Sequence, residues 1–340
     1  MPANLNWTPL HDQLHRTLRS RHLIPASERV LMAVSGGQDS LCLAKLLLDL
    51  QSKWGWELAI AHCDHGWRSD SAANADYIET LAHSWQLPCY RQVAQEISTT
   101  EAAARQWRYQ VLAEIAKTNN YTYVVTGHTA TDRAETLLYN LVRGSGADGL
   151  QALTWQRPLK SSEPSPLLVR PMLDITRHQT GEFCQTQGLR IWLDSTNQDL
   201  HYARNRIRLE LLPYLETHFN PQTELALAQT AELLQAEVEC LEYLTDELYQ
   251  QAVESADTPG GTIQQLTMKI NRQVLRQSFL ALQRRVMRRV LHHTLPQAPN
   301  FDQIEKLTVL ITAPNRSQTD PFPGGTIARV EHPWIIFTSS

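Results

Sequence analysis

An apolar run at residues 30–34 gives way to Ser35-Gly36-Gly37-Gln38-Asp39-Ser40, and an amphipathic run follows over 41–50. That order is strand, tight glycine turn, helix, and few folds accommodate it. Two glycines let the backbone take positive φ and approach a ligand closely, while the start of the next helix leaves several N–H groups unpaired. Those amides and the helix dipole form a seat for an anion, typically phosphate. No Gly-Lys-Ser/Thr follows, so the loop is not a Walker A motif. Asp39 beside bound phosphates makes sense as a ligand of Mg²⁺.

The same alternation continues through the first half. Strand patterns at residues 29–34, 57–63, 88–93 and 121–126 enclose helical patterns at 39–51, 72–85 and 100–117. The expected class is α/β, a doubly wound and mostly parallel sheet. A helical linker and a small C-terminal α+β domain follow. Ligands in such sheets bind beyond the carboxyl ends of the strands. Residues 35–40, 62–68 and 126–128 each follow a strand and are expected to line one crevice. The domain boundaries read as 1–215 for the catalytic domain, 216–257 for a helical connector and 258–340 for a basic terminal domain.

Composition excludes several classes. At 340 residues with 42% hydrophobic content, the chain is long enough for more than one buried core. Its five cysteines are scattered without a C-x-x-C, so neither a disulfide framework nor a zinc or iron–sulfur site is signalled. No apolar run approaches the length of a membrane span, and the N-terminus lacks a signal-peptide core. A soluble, cytoplasmic protein is expected. The net charge of −4 hides an asymmetry. Residues 209–268 contain no lysine or arginine, whereas 258–301 contain no acid and carry Arg284, Arg285, Arg288 and Arg289. That basic stretch reads as a helix over 272–292 with Leu275, Phe279, Leu282, Val286 and Val290 as its core stripe. With no acid nearby in sequence, its arginines suit a phosphate backbone, although arginine runs are commonly plain solvated surface.

Other motifs stay ambiguous on their own. His62-Cys63-Asp64-His65-Gly66-Trp67-Arg68 offers polar groups at a strand end, for a nucleotide or merely for water. His128, Asp132 and Glu135 share one stripe after the 121–126 strand, opposite Ala134, Leu137, Leu138 and Leu141; the stripe suits a metal or a wet face. Ser98 and Glu101 have the form of a capping box, leading a helix that carries Arg105 and Arg108. Arg143 sits in a glycine-rich turn that suits an anion or a helix C-cap. Arg204, Arg206 and Arg208 suit phosphate contact or simple solvation equally.

Taken together, these segments resemble the tRNA(Ile)-lysidine synthases, a branch of the PP-loop ATP pyrophosphatases. The match rests on residues 35–40, 62–68, 101–109, 126–136, 141–150, 170–173, 194–197 and 204–208, and more weakly on 313–318 and 322–325. The resemblance implies an enzyme using ATP and Mg²⁺ to join L-lysine to C2 of the first anticodon cytidine of a CAU-bearing isoleucine tRNA. AMP and pyrophosphate would be released through an adenylated intermediate. It implies that Ser35, Gly36, Gly37, Gln38, Asp39 and Ser40 hold ATP, with Asp39 on the metal and His62, Asp64, Gly127, His128 and Arg143 as further nucleotide contacts. Asp39, Asp132, Arg105 and Arg108 would be catalytic. Arg204, Arg206, Arg208 and the row at 284–289 would hold tRNA, and a homodimer is compatible with the sequence. Alternatives are a PP-loop tRNA thiolase, disfavoured by the missing C-x-x-C; a small-molecule amide ligase, which has no need of the basic helix; and a non-enzymatic ATP-dependent RNA binder, which Asp39 and Asp132 argue against.

Overall fold

The computed structural model describes residues 7–66, 70–95, 100–160, 165–192, 199–256 and 267–339. The chain forms two compact units, Met1–Gln235 and Ala236–Ser340. In the first, α1 (Pro9–Ser20) precedes β1 (Arg29–Ala33), α2 (Gln38–Trp54), β2 (Glu57–Asp64), α3 (Ser71–Ser84), β3 (Cys89–Val93), α4 (Glu101–Thr118), β4 (Tyr123–Thr126) and α5 (Ala130–Val142). A short α6 (Ala147–Leu150), β5 (Gln156–Pro158), β6 (Leu167–Val169) and α7 (Arg177–Thr186) follow. Then come α8 (Ala203–Arg206), a π-helical turn (Ile207–Leu211), α9 (Leu212–His218) and the long α10 (Thr223–Ala252), which ends in the second unit.

Strand order is β3-β2-β1-β4-β6-β5, parallel except for β5. Alternation along the strands sorts the two faces. Val30, Met32, Leu58, Ile60 and Val125 join one core with residues of α1, α2, α3 and α7. Leu31, Ala59, Ala61 and Val124 join a second with Leu112, Ala113 and Ala116 of α4. Helices therefore cover both faces, as expected of a doubly wound sheet. From β1 the chain winds outward to β3, then α4 carries it back across to β4 on the other side of β1. The resulting switch point lies between β1 and β4.

Several expectations change in detail. The cap of α4 is Thr100, whose side chain accepts from the Ala103 amide at 3.2 Å; Ser98 lies outside the described residues, as do Trp67, Arg68 and residues 194–197. His128 precedes the α5 cap Thr129, so it does not belong to the stripe of Asp132 and Glu135. Leu141 is 52% exposed rather than core, because α5 has outrun the sheet at its last turn.

The second unit contains the end of α10, then β7 (Val253–Ala256), β8 (Thr267–Asn271), α11 (Arg272–Arg276), α12 (Leu280–Thr294), α13 (Phe301–Thr308), β9 (Thr326–Glu331) and β10 (Trp334–Ser339). Its four strands form an antiparallel sheet, β7-β8-β10-β9. The expected single basic helix is two. Gln283 Nε2 donates to the carbonyls of Leu275 and Ser278, satisfying the freed end of α11. Phe279 caps α12 and is 83% exposed, not part of the stripe.

Nor is the arginine row unbalanced. Glu242 of α10 accepts from Arg285, and from Arg289 at 2.8 Å, and lies 3.6 Å from Arg288. Asp246 accepts from Arg289, and Glu305 pairs with Arg284 at 2.7 Å. Two acids of the acidic block, Glu242 and Asp246, and Glu305 beyond the basic stretch thus meet the arginine row in the fold.

In the first unit Arg133 is 1% exposed and donates to Glu232 at 2.6 Å and to Gln235 at 3.1 Å. Trp155 Nε1 also donates to Glu232 at 2.6 Å. Arg133→Met removes the charge-assisted bonds that fasten α10 to α5. We expect a loss of about 1.5–3 kcal/mol, read as a lower urea midpoint with unchanged m value.

Candidate active site

The loop after β1 is shaped by its own serines. The Gly37 amide donates to Ser35 Oγ at 3.3 Å, and Ser40 Oγ donates to the Gly37 carbonyl at 2.9 Å. Gly36 has φ +90°, and a Cβ there would lie 2.2 Å from Asn74 Oδ1. Asn74 Nδ2 in turn donates to the Ser35 carbonyl at 2.9 Å, and the Trp192 amide donates to Gly36 O at 3.0 Å. The loop is thus braced from α3 and from the segment after α7. Gly37 caps α2 without a side-chain bond, leaving the first-turn amides open toward the crevice.

The Gly127 backbone runs directly against this loop. A Cβ on Gly127 would lie 2.8 Å from the carbonyl carbon and oxygen of Asp39. The two loops enclose a cavity of about 390 Å³ lined by Ser35, Gly37, Gln38, Asp39, Ser40, His62, Asp64, Gly127, His128 and Asp132, with Arg108, Tyr109, Arg177 and Arg208 at its walls. Most of the expected nucleotide residues and both expected catalytic aspartates meet there.

Asp39 accepts from Thr180 Oγ1 at 2.5 Å and from Arg177 Nη1 at 2.7 Å, both on α7. Burial pushes its carboxyl above the usual range, Arg177 opposes that shift, and the nearby negative charge of Asp132 adds to it. Burial would also push Asp132 up. The neighbouring His128 and Arg208 and two hydrogen bonds from Thr129 outweigh burial and hold it below its usual range. Arg208 reaches both Asp132, at 3.3 Å, and Glu135, bonding the latter through Nε and Nη2. Burial still pushes Glu135 up to about 7. Arg208 projects from the π-helical turn, a local widening common at functional sites.

These contacts revise four expectations. Gln38 Nε2 donates to the Arg177 carbonyl and Thr180 Oγ1, at 2.5 and 2.8 Å, so its side-chain amide nitrogen is engaged by α7. Arg208 is a crevice residue bound to two acids, not a solvated RNA contact. Arg143 does not line this cavity; it lines a separate hollow with Tyr139, Arg206 and Tyr214, and donates to Tyr139 Oη at 2.7 Å. Glu135 is 2% exposed and so belongs to no wet face. His62 is a brace as well as a lining group, its Nδ1 lying 2.8 Å from the Val34 carbonyl. Sequence reasoning missed Arg177 and Thr180. The Thr176/Gln179 capping box that starts α7 was the legible signal for that helix.

Mg²⁺ typically takes one or two carboxylates together with substrate phosphates. Asp39 and Asp132, close enough for one to raise the other beside open amides, fit such an ion. Among the described residues no group of three or more metal-binding side chains could hold it alone, so phosphate oxygens would complete the shell.

The PP-loop domain family matches residues 8–215. A tRNA(Ile)-lysidine synthase of Nostoc sp. (strain PCC 7120) is 63% identical over 97% of both chains, and that of Synechocystis sp. (strain PCC 6803) is 53% identical over 97% of this chain and 98% of its own. A chloroplastic tRNA(Ile)-lysidine synthase of Zygnema circumcarinatum is 33% identical over 90% of this chain and 81% of its own. Among solved structures, the U34-tRNA thiolase NcsA of Methanococcus maripaludis superposes with a TM-score of 0.55 at 15% identity, covering 66% of this chain and 78% of its own. That likeness concerns the fold.

Gly127→Ala must displace the Asp39 and Ser40 backbone, and we expect ATP affinity to fall at least tenfold; Gly146→Ala, where a Cβ meets nothing within 4 Å, leaves it unchanged. Calorimetric titration of the two variants checks this. Burial, as the largest cause, lowers His65 to about 4 and His128 to about 3. Below pH 6.5 the unfolded chain then binds protons that the folded chain does not, so stability falls as the pH drops from 6.5 toward 4. The slope is at most about 1.4 kcal/mol per pH unit for each group. Melting His128→Asn across this window should give a flatter line than the parent.

Proposed function

The chain belongs to the tRNA(Ile)-lysidine synthase family of PP-loop proteins, and we propose that this crevice forms lysidine on tRNA(Ile) from ATP and L-lysine. The observation that carries the reading is the meeting of two loops at the switch point, which sets Asp39 and Asp132 in one cavity with open helix amides. In the first step the C2 oxygen of the wobble cytidine of a CAU anticodon attacks the α-phosphorus of ATP, and pyrophosphate leaves. In the second the lysine Nε attacks C2, the C2–O bond breaks, and AMP leaves with the oxygen. The amine surrenders a proton on the way.

The amides of residues 37–40 and the hydroxyls of Ser35 and Ser40 hold the phosphates. Mg²⁺, held by Asp39 and Asp132, would neutralise charge on the leaving pyrophosphate. Arg177 and Thr180 fix the Asp39 carboxylate for that task. Asp132, kept ionised, is the crevice carboxylate able to orient or deprotonate the amine. Arg204 and Arg206 are proposed contacts to the RNA backbone. The row at 284–289 is proposed as a weaker one, because RNA there must compete with Glu242, Asp246 and Glu305. We place the enzyme in the cytoplasm, and light scattering reads whether it is a monomer or a homodimer. A sulfur-transferring PP-loop reaction is less compatible with the crevice. Burial pushes the thiol of Cys63, its lining cysteine, up to about 12, far from a reactive thiolate.

The test supplies purified protein with ATP, labelled lysine and either CAU-anticodon isoleucine tRNA or methionine tRNA. Label should enter the isoleucine tRNA alone, one AMP appearing per lysine; no incorporation defeats the ligase reading, and equal labelling of both tRNAs defeats its specificity. Asp39→Asn should lower turnover at least a hundredfold with little change in melting temperature.

A further inference from the structure

Two kinds of arginine lie at the crevice and just behind its wall, where Arg108 alone of the second kind reaches the lining. Arg177 and Arg208 each face a carboxylate: Asp39 for the first, Asp132 and Glu135 for the second. A second set converges on Tyr109. The guanidinium carbons of Arg157, Arg105 and Arg108 lie 5.2, 5.5 and 5.8 Å from its ring centroid. Arg170, 2% exposed at the end of β6, adds its charge to the same phenol. Three separate parts of the fold, α4, β5 and the end of β6, thus deliver four cations to one ring.

None of the four pairs with an acid among the described residues; Arg157 donates to the Pro158 carbonyl at 2.9 Å and Arg170 to that of Thr154 at 2.7 Å. Burial penalises the charge on Arg170, and Arg157 and Arg105 penalise it further. Tyr109 Oη, buried beside Arg170, takes up part of that charge through a side-chain interaction with its guanidinium, which leaves Arg105, Arg108 and Arg157 without an anionic partner among the described residues. Like charges gathered this closely disfavour one another, so the cluster calls for an anion. The opening for one is present, since Arg108 and Tyr109 line the crevice beside His128, whose proton affinity the charges of Arg170, Arg108 and Arg105 depress.

We infer that Arg105, Arg108, Arg157 and Arg170, gathered on Tyr109, form a phosphate subsite in the crevice wall, distinct from the amide seat at residues 35–40. Four guanidinium groups match a multiply charged oxyanion better than a single carboxylate, and their planar forks bind phosphate oxygens in pairs. The phosphate has two sources, the pyrophosphate leaving ATP and the phosphodiester flanking the nucleotide in the crevice. The inference rests on the function proposed above, which supplies both.

Equilibrium binding to the full chain tests it without turnover, so a failed ligase assay and a failed subsite are distinguishable. The R105Q/R157Q variant is titrated with inorganic pyrophosphate and, separately, with a CAU anticodon stem-loop. We expect at least a tenfold loss of affinity for one of them. If the ligand is the RNA, its salt slope should also fall by about 0.7–0.9, the share of one phosphate contact. In the parent protein, Tyr109 ionisation, read as the ultraviolet difference from Tyr109→Phe, should begin below the usual tyrosine range and move upward when that ligand is added. This second measurement stands even if the double variant does not fold. Unchanged affinity for both ligands in a folded variant overturns the proposal. So does a Tyr109 titration that neither ligand shifts, or an effect confined to lysine binding.

Discussion

Steric contact between two backbones governs this active site. Where strand order reverses, Gly127 after β4 lies so close to Asp39 that a methyl group would not fit. That closeness brings the anion seat of one loop and the acid–arginine group of the other into a single cavity. It also explains why the carboxylates sense each other: Asp132 raises Asp39 across the gap. Separate the loops by the width of a side chain and Asp132 would no longer share one cavity with the amides after Gly37.

Charge inside the cavity is consequently organised by neighbours rather than by water. Asp39 is gripped by α7, while Asp132 and Glu135 share Arg208. Each carboxylate is held in a different protonation tendency by burial and partner, with Asp132 lowered and Glu135 raised. Such divergence among adjacent acids marks a site whose groups are set apart by environment rather than by residue type.

Much of this was legible in the chain itself. Four strand patterns landed on β1 to β4 with small shifts at their ends, because strands covered on both faces, as β1, β2 and β4 are, read as short continuous apolar runs. The loop at residues 35–40 and the motif at 126–128 were placed at one crevice from topology alone. What escaped was long-range partnering. No local pattern shows that Gln38 turns to α7, that Arg143 faces a different hollow, or that Arg208 points inward. The basic helix misled for the same reason: Glu242 lies more than forty residues from the arginines it binds, and only the fold brings it alongside them.

The π-helical turn at Ile207–Leu211 carries a further consequence. A widened turn holds one residue more than the α-helix around it, so Arg208 keeps its aim only while that surplus persists. Removing a single residue from the turn would return it to α-helical width and shift the positions inside it while the flanking helices keep their register. Arg208 would then swing away from Asp132 and Glu135. The segment should therefore tolerate changes of side chain at exposed Leu209 and Glu210 far better than any change of length.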